Sequence, residues 1–389
     1  MWNKLFLIPL LILLFNSCKK EISEKDSTNK REKKLNEFVV SFPKISEKEA
    51  IKYSKEIENF YNSKINVDTF SGSFLVAKNG QILFEKYTGY SNYTNKHRIT
   101  ENTPLHLASI SKVVTASVIL RLVDENKIKL NDTFKTYFPE FPFDEITIKT
   151  LLNHRSGLPN YTYFTDDEHY WDKTKMLNNI EILKIICTKN ISLDFKPNTK
   201  FSYCNTNYAL LALVVEKISG LPFPKAMKKL LFEPLEMNNT FVFEFEQQKD
   251  MVSESYKSTW EKIPYDYLDA VYGDKNIYST PQDLLKFDLA TYSENFFSDQ
   301  IKKEVFKGYS YEKKGVKNYG LGIRLNEWED FETLFYHNGW WHGNTTSYTS
   351  LKKEKVCIIA LSNKYTRKVY QAKKLSSIFG NYPFEIEED

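Results

Sequence analysis

The sequence predicts an α+β fold in which an antiparallel sheet is flanked by helices and carries an inserted, mainly helical subdomain at about 130–270. Three observations lead to this class. Strand patterns lie near both ends of the body, and helical patterns fill its middle. The sequence also shows no internal repeat. An antiparallel sheet interrupted by a helical insertion gives this order, and a cleft is expected between the two parts.

The first half of the body begins with a helix at 46–64 and a hairpin at 74–84. Asn79 and Gly80 separate the two strand patterns of the hairpin, and Asn-Gly suits a type I′ turn. A helix follows at about 109–124, because apolar residues recur there with helical spacing, at Val113, Val114, Val118, Ile119 and Leu122.

The second half is divided by glycine and proline signals. A helix at about 205–219 ends at Gly220, and a helix at 280–292 has Thr280 as its cap and Pro281 at its first position. The remaining patterns predict strands at 319–326, 333–337, 345–351 and 355–362, and a closing helix at 370–379.

Three short motifs occur in one order: Ser109-Ile110-Ser111-Lys112, Tyr203-Cys204-Asn205 and His337-Asn338-Gly339. The first motif alone is weak, because the S-x-x-K spacing recurs at Ser17, Ser27, Ser41, Ser310 and Ser350. Ser109 differs in standing directly before a helical pattern. A helix cap is the alternative role for such a serine, and the two downstream motifs favour a nucleophile instead.

The residue types of these motifs fit acyl transfer. Serine needs a nearby base to become a nucleophile, and Lys112 falls on the same helical face as Ser109. The helix N-terminus favours a developing negative charge. Tyr203 can act as a base or proton relay, and Asn205 can orient Lys112 and a substrate amide by hydrogen bonds.

The motifs resemble those of the serine β-lactamase and penicillin-binding-protein superfamily, in its class C β-lactamase and D-alanyl-D-alanine-carboxypeptidase-like branch. The stretches 146–159, 201–205 and 273–284 are also similar to that branch, and the resemblance covers roughly 71–363. It implies that Ser109 is acylated, that Lys112 and Tyr203 share the general-base work, and that Asn205 orients them.

The resemblance also assigns the third motif to a strand that lines the cleft. His337 and Gly339 belong to this catalytic strand, and the backbone N–H groups of Ser109 and Trp340 form the oxyanion hole. Contacts to the substrate are implied for Asn338, Trp340 and Trp341. The two tryptophans can wall the acyl pocket or pack in the core, and both alternatives stay open.

His337 departs from the family pattern, which has lysine at this position in most members. A histidine with a pKa near 6.5 is a poor permanent cation for a substrate carboxylate. This substitution argues against efficient hydrolysis of β-lactams and predicts an activity that depends on pH. Cys204 also departs from the pattern, and we expect it to be a buried filler.

Composition excludes several other classes. The formal charge of +4 arises from residues 1–36, because the rest of the chain is neutral, which argues against nucleic-acid binding. The six histidines show no ligand spacing, so neither a metal nor another cofactor is expected. The expected partners are a small-molecule or peptide substrate and a membrane.

The first residues predict export. Residues 1–17 read as a signal peptide, Cys18 as a lipidated first residue, and 18–45 as a flexible tether ahead of a catalytic domain at 46–389. An ordinary signal peptide with an incidental cysteine is the alternative. The anchored protein would face the periplasm or cell surface of a bacterium. Cys187, Cys204 and Cys357 then remain, and a Cys187–Cys204 bridge is left open.

The sequence therefore predicts a serine hydrolase that forms a covalent acyl-enzyme with ester or D-amino-acid peptide substrates. The first alternative is a β-lactamase that hydrolyses β-lactam antibiotics. The second, from another class, is a lipoprotein with a penicillin-binding fold that binds a ligand without turnover.

Overall fold

The computed structural model describes residues 38, 40–67 and 70–385. The strands in these ranges are β1 (Gly72–Lys78), β2 (Gln81–Thr88), β3 (Tyr90–Asn92), β4 (His97–Arg98), β5 (Leu105–His106), β6 (Phe241–Val242), β7 (Ile277–Ser279), β8 (Lys317–Tyr319), β9 (Arg324–Asn326), β10 (Leu334–Trp341), β11 (Asn344–Leu351) and β12 (Val356–Ser362). Seven of them form an antiparallel sheet in the order β2-β1-β12-β11-β10-β9-β8. The predicted α+β class is confirmed.

The helices of the described ranges lie on both faces of this sheet. They are α1 (Glu47–Phe60), α2 (Ser111–Asp124), α3 (Ile148–Leu152), α4 (Tyr161–Phe164), α5 (Asn179–Thr188), α6 (Asn205–Ser219), α7 (Phe223–Met227), α8 (Phe245–Gln248), α9 (Pro281–Ala290) and α10 (Asp299–Val305). Helices α3 to α8 fall within 130–270. Among the described residues of that range, β6 is the one strand.

Two apolar cores lie on opposite faces of the sheet because side chains alternate along each strand. Leu75 of β1 and Ile359 of β12 face the larger core, which they share with α2, α6 and α9. Val76 and Ile358, one residue away, face the smaller core with α1 and the 3₁₀ helix Lys368–Ile378. The larger core therefore joins the sheet to the helical part and fixes the cleft between them.

Local signals account for most element ends. Asn79 and Gly80 both have positive φ, +53° and +77°, as the predicted type I′ turn requires. Gly220 ends α6 in the left-handed conformation, and the Thr280 side chain accepts a hydrogen bond from the Asp283 N–H at the start of α9. The predicted helices at 46–64, 109–124, 205–219 and 280–292 are confirmed within a few residues.

Near the C-terminus the structure differs from the prediction at two places. The predicted strand 319–326 is two short strands, because the chain turns at Gly322, whose φ is +93°. A Cβ at Gly322 would overlap Ala116 of α2, so the turn packs directly on that helix. The predicted closing helix at 370–379 is the 3₁₀ helix Lys368–Ile378.

The strand predicted at 333–337 continues to Trp341 as β10. Its pairing with β11 runs from Phe335↔Ser350 to Trp341↔Asn344. The whole third motif therefore lies on a strand, and this strand passes the start of α2.

The N-terminal boundary of the body was predicted too late in the chain. Phe38 is buried in the larger core, and its ring centre lies 5.7 Å from that of Phe296. The ring centres of Phe42 and Tyr292 lie 5.3 Å apart. The Pro43 carbonyl accepts a hydrogen bond from Asn79 Nδ2 at 2.8 Å. The described part of 38–45 therefore packs on the body, which corrects the tether boundary at 45. The predicted signal peptide and Cys18 lie outside the described residues.

Candidate active site

The candidate nucleophile lies in a tight turn ahead of α2. Ser109 is the middle residue of a 3₁₀ turn, Ala108–Ile110, and is half-buried. Its side chain does not cap α2, so the alternative role of helix cap is not the one observed. The fully buried Lys112 donates a hydrogen bond from Nζ to Ser109 Oγ at 3.3 Å. The geometry thus puts an amine next to the Ser109 hydroxyl at the start of this helix.

The backbone carbonyl of Asp274 is the second partner of Lys112. It accepts a hydrogen bond from Nζ at 2.8 Å. We expected Asn205 to hold the lysine, but among the described residues its side chain makes no hydrogen bond to Lys112. Asn205 is the first residue of α6 and is half-exposed. The lysine is therefore positioned by a loop carbonyl, and the Asn205 amide stays available to a substrate.

The Tyr203 ring lies beside Lys112, and its hydroxyl is buried. Lys112 Nζ lies 5.0 Å from the centre of the Tyr203 ring. The Tyr203 hydroxyl is buried and has no hydrogen-bond partner in the described part of the chain. A buried hydroxyl without a partner costs folding free energy, and such groups are common where a substrate or a transferred proton supplies the missing partner.

His154 holds the second motif in place. Its Nδ1 accepts hydrogen bonds from the Cys204 N–H and from Asn207 Nδ2, each at 3.1 Å. Its ring centre lies 4.4 Å from that of Tyr203. Burial lowers the pKa of His154 well below its ordinary value, and the charges of Lys112 and Arg324 lower it further. The ring is therefore a neutral acceptor that fixes the loop carrying Tyr203.

His337 is fully buried and cannot serve as an exposed cation. Its Nδ1 lies 2.8 Å from the Asn338 carbonyl, and its Nε2 lies 3.1 Å from the Tyr319 hydroxyl. Because a carbonyl only accepts, Nδ1 carries the proton and Nε2 accepts from Tyr319. Burial, with Arg324 and Lys112 nearby, lowers the pKa of His337 well below its ordinary value. The expectation that it titrates near 6.5 is wrong.

Gly339 allows β10 to pass close to the turn that carries Ser109. A Cβ at this position would lie 2.7 Å from the Leu107 carbonyl oxygen and 2.9 Å from Ala108 Cβ, and it would overlap Thr346 Oγ1. Only a glycine permits this approach without displacing the turn. The close passage brings the backbone at Trp340 beside the turn that carries Ser109, as the predicted oxyanion hole requires.

The three residues predicted to touch the substrate are placed differently. Trp340 is 62% exposed, which leaves the role of cleft wall open. Trp341 packs against the larger core, and its Nε1 donates to Asp269 Oδ1 at 2.7 Å. Asn338 alternates with His337 along β10, so it lies on the sheet face of the smaller core, with Oδ1 buried.

Ala108 and its support were missed by the sequence reasoning. Ala108 precedes the candidate nucleophile with φ at +48°, in the left-handed region that an alanine rarely adopts. Its N–H donates to His106 Nδ1 at 2.9 Å, and His106 Nε2 lies 2.9 Å from Asn276 Oδ1. Burial lowers the pKa of His106 to about 4, so the neutral ring accepts at Nδ1 and donates at Nε2.

Arg324 is the second group that the sequence did not reveal. It lies on β9, 13 positions before His337, with its guanidinium carbon 4.6 Å from the Tyr203 ring centre. Within the described ranges it makes no ion pair with a carboxylate. A half-exposed guanidinium beside the candidate base offers the positive charge that His337 lacks.

Neither the cysteines nor the acidic groups of the described ranges form a second candidate site. Cys187, Cys204 and Cys357 are all free, which settles the open Cys187–Cys204 pairing. Cys204 is buried, as expected for a filler. Asp266, Asp269 and His342 lie close enough to share an ion. However, Asp269 already accepts from Trp341 Nε1, with His342 Nε2 3.0 Å away, so this group holds Trp341 in place.

The family follows from this site and its fold. Residues 65–378 match the protein-family model for beta-lactamase. The chain belongs to the β-lactamase family. Among its relatives, penicillin-binding protein 4* of Bacillus subtilis (strain 168) is 30% identical over 355 residues, which cover 86% of this chain and 78% of that protein.

Two further comparisons agree with this membership. Teichoic acid D-alanine hydrolase of Staphylococcus aureus is 26% identical over 377 residues, which cover 94% of this chain and 90% of that protein. The crystal structure of a penicillin-binding protein from Bacillus halodurans shares the fold, with a TM-score of 0.71 and 21% identity over 84% of this chain and 99% of that one. The predicted resemblance is confirmed, and the chain is a serine hydrolase of the β-lactamase family.

Proposed function

We propose that this β-lactamase-family chain hydrolyses D-alanyl esters or D-alanyl peptides through an acyl-enzyme on Ser109. The observation that carries the proposal is the contact of Lys112 Nζ with Ser109 Oγ, together with the Tyr203 ring, whose centre lies 5.0 Å from the same Nζ and whose buried hydroxyl has no hydrogen-bond partner among the described residues. A nucleophile, a buried amine in contact with it and a phenol ring beside that amine supply the groups that acyl transfer requires.

The reaction would proceed in two steps. Ser109 Oγ attacks the substrate carbonyl while its proton passes to the Lys112–Tyr203 pair, and the N–H groups of Ser109 and Trp340 stabilise the oxyanion. The pair then protonates the departing alcohol or amine, which leaves the acyl group on Oγ. Water attacks this ester, gives a proton to the same pair, and releases the acid as Ser109 regains its hydrogen.

The D-alanyl part of the proposal rests on the relatives and on Arg324. One relative is named as a D-alanine hydrolase of teichoic acid. A D-alanyl-D-alanine peptide ends in a carboxylate, and Arg324 supplies a cation beside Tyr203 that can bind it in two hydrogen bonds. His337, buried and neutral, cannot replace the lysine that most family members have there, so rapid hydrolysis of β-lactams is not expected.

Intact-mass spectrometry after exposure to a fluorophosphonate tests the nucleophile. We expect one adduct on the wild-type protein and none on Ser109→Ala. Ser111→Ala is the matched control, because Ser111 is buried two residues away, and it should keep the adduct. Labelling of a folded Ser109→Ala protein would contradict the proposal. Absence of an adduct on folded wild type would favour a ligand-binding protein without turnover.

We also propose that the protein is exported and lipid-anchored through Cys18. The support is the short apolar stretch 5–15 ahead of Ser17 and Cys18. Within the described ranges, no helix has the length and apolar character needed to cross a membrane.

Metabolic labelling with a palmitate analogue and cell fractionation test the anchor. Cys18→Ala should lose the label and leave the membrane fraction, whereas Cys187→Ala, which changes a half-buried thiol of the body, should keep both properties. A Cys18→Ala protein that still carries the label would contradict the anchor.

A further inference from the structure

A basic pocket lies directly beside the candidate active site. Its volume is about 250 Å³. Its lining includes four cations and one carboxylate, a net charge of +3, contributed by Lys200, Lys313, Lys317, Arg324 and Glu312. Arg324 belongs to both places, because its guanidinium carbon lies 4.6 Å from the Tyr203 ring centre. The pocket therefore continues the cleft past the group that we propose as base.

The wall of the pocket is fixed by hydrogen bonds to Glu312 and Ser310. Arg155, which is buried, donates to Glu312 Oε1 at 2.5 Å and to Ser310 Oγ at 3.1 Å. The Phe201 N–H donates to the same Glu312 oxygen at 3.1 Å. These contacts tie the segment after α10 to the loop that carries the second motif, so the pocket has a defined shape.

The same contacts leave the cations of the pocket unopposed. Glu312 is occupied by Arg155, and Lys313, Lys317 and Arg324 make no ion pair with any carboxylate in the described part of the chain. The positive charges of the pocket also act on Lys373. Burial lowers the pKa of Lys373, and the charges of Lys317 and Arg324 lower it further. Like charges held together without a counter-ion weaken folding, which is expected where a ligand supplies the anion.

We propose that this pocket binds a phosphate group on the substrate, next to the D-alanyl group that is transferred to Ser109. The proposal rests on the proposed function and names its substrate class, D-alanyl esters of phosphorylated alcohols. A phosphate accounts better for the charge than one carboxylate does, because it carries up to two negative charges and Arg324 alone can bind a carboxylate.

Hydrolysis of two matched esters tests the subsite. The esters are D-alanyl glycerol and D-alanyl glycerol phosphate, and the protein variants are the double substitution Lys313→Gln with Lys317→Gln and the single substitution Lys314→Gln. Lys314 is an exposed lysine of the same segment that does not line the pocket, so it controls for general charge.

We expect the wild-type protein to prefer the phosphorylated ester, with a lower KM. The double variant should raise that KM about 5- to 10-fold, as two exposed ion pairs allow, and change kcat/KM for the neutral ester less than about 2-fold. Lys314→Gln should leave both esters unchanged. Raising the salt concentration should reduce the preference in the wild type, because salt screens exposed charges.

Three results would overturn the subsite. One is equal hydrolysis of both esters by the wild type, and another is an equal loss on both esters in the double variant. The third is a preference for an ester with a carboxylate in place of the phosphate, which would assign the pocket to acidic peptides. Failure of the proposed function is distinct, because then neither ester would be hydrolysed and neither would leave an acyl group on Ser109.

Discussion

At the scale of single residues, the site contains groups whose arrangement weakens folding. The Tyr203 hydroxyl is buried and has no hydrogen-bond partner in the part of the chain that the structure describes, and Ala108, in a left-handed conformation, donates a hydrogen bond from its N–H to His106. Both features cost folding free energy, of the order of 1–3 kcal/mol each. They flank Ser109, where the proposed mechanism needs a proton to move and a backbone N–H to face the substrate, so we attribute them to the proposed function.

Tyr203→Phe separates function from folding. We expect turnover to fall about 10²- to 10⁴-fold, because a base or relay is lost. The free energy of unfolding should stay equal or rise by about 1 kcal/mol, because an unsatisfied buried hydroxyl is removed. Hydrolysis of a D-alanyl ester and urea denaturation measure the two quantities.

Tyr272→Phe is the matched control. The Tyr272 hydroxyl donates to Glu216 Oε1 at 2.8 Å, so this variant should lose stability and keep turnover. If Tyr203→Phe instead unfolded more easily and hydrolysed the ester at the wild-type rate, its hydroxyl would be structural.

At the scale of elements, the site depends on the close approach of β10 to the turn before α2. Gly339 lies at the contact, and Thr346 of β11 donates from Oγ1 to the Leu107 carbonyl at 2.8 Å. Two neighbouring strands therefore hold the nucleophile turn against the sheet. The helices and the hairpin could be predicted because caps and periodicity are local, but this contact joins residues more than 200 positions apart.

Gly339→Ala tests this contact. The added methyl group would displace the turn, and a displacement of about 1 Å costs about 100-fold in turnover, with a loss of stability of about 1–3 kcal/mol from overpacking. Steady-state hydrolysis and thermal unfolding measure the two effects.

The control is Gly380→Ala, where the nearest atom to the added methyl group is Glu354 Oε1, the movable end of a side chain. It should change neither quantity appreciably. Full activity of Gly339→Ala would show that the approach of β10 does not set the position of Ser109.

At the scale of the whole molecule, three buried histidines connect folding to pH. His106, His154 and His337 lie between the sheet and the helical part, and burial lowers the pKa of each. Each ring is neutral in the folded state and accepts a hydrogen bond at one nitrogen. In the unfolded chain, the ordinary pKa of about 6.5 allows these rings to take up protons more easily.

Stability should therefore fall as the pH is lowered. The contribution of His106 is fully present above pH 6.5 and is lost progressively as the pH falls toward its folded pKa of about 4. The loss from this residue alone is about 3 kcal/mol. Urea denaturation between about pH 7.5 and about 4.5 should show this decline.

The variant His106→Gln should show a shallower decline, because it removes one titrating group. His169→Gln, which replaces an exposed histidine, should decline like the wild type. Identical slopes for the wild type and His106→Gln would mean that His106 is not held neutral by the fold.

The sequence by itself determined the fold class, most of the helices and the identity of Ser109, Lys112 and Tyr203 as candidates. It could do so because helix caps and the Asn79–Gly80 turn depend on residues that are neighbours in the chain. The three motifs could be recognised by their order along the chain. The family resemblance supplied the same residues independently.

Only the tertiary structure decided how those candidates are supported. It showed the Asp274 carbonyl rather than Asn205 as a hydrogen-bond partner of Lys112, the hydrogen bond from the Ala108 N–H to His106, and the guanidinium of Arg324 beside the Tyr203 ring. Burial and long-range contacts set these roles, and the sequence alone does not show whether a histidine or an arginine is buried or exposed. The charge around the basic pocket likewise arises because folding brings Lys200 to Lys313, Lys317 and Arg324, which follow more than 100 positions later in the chain.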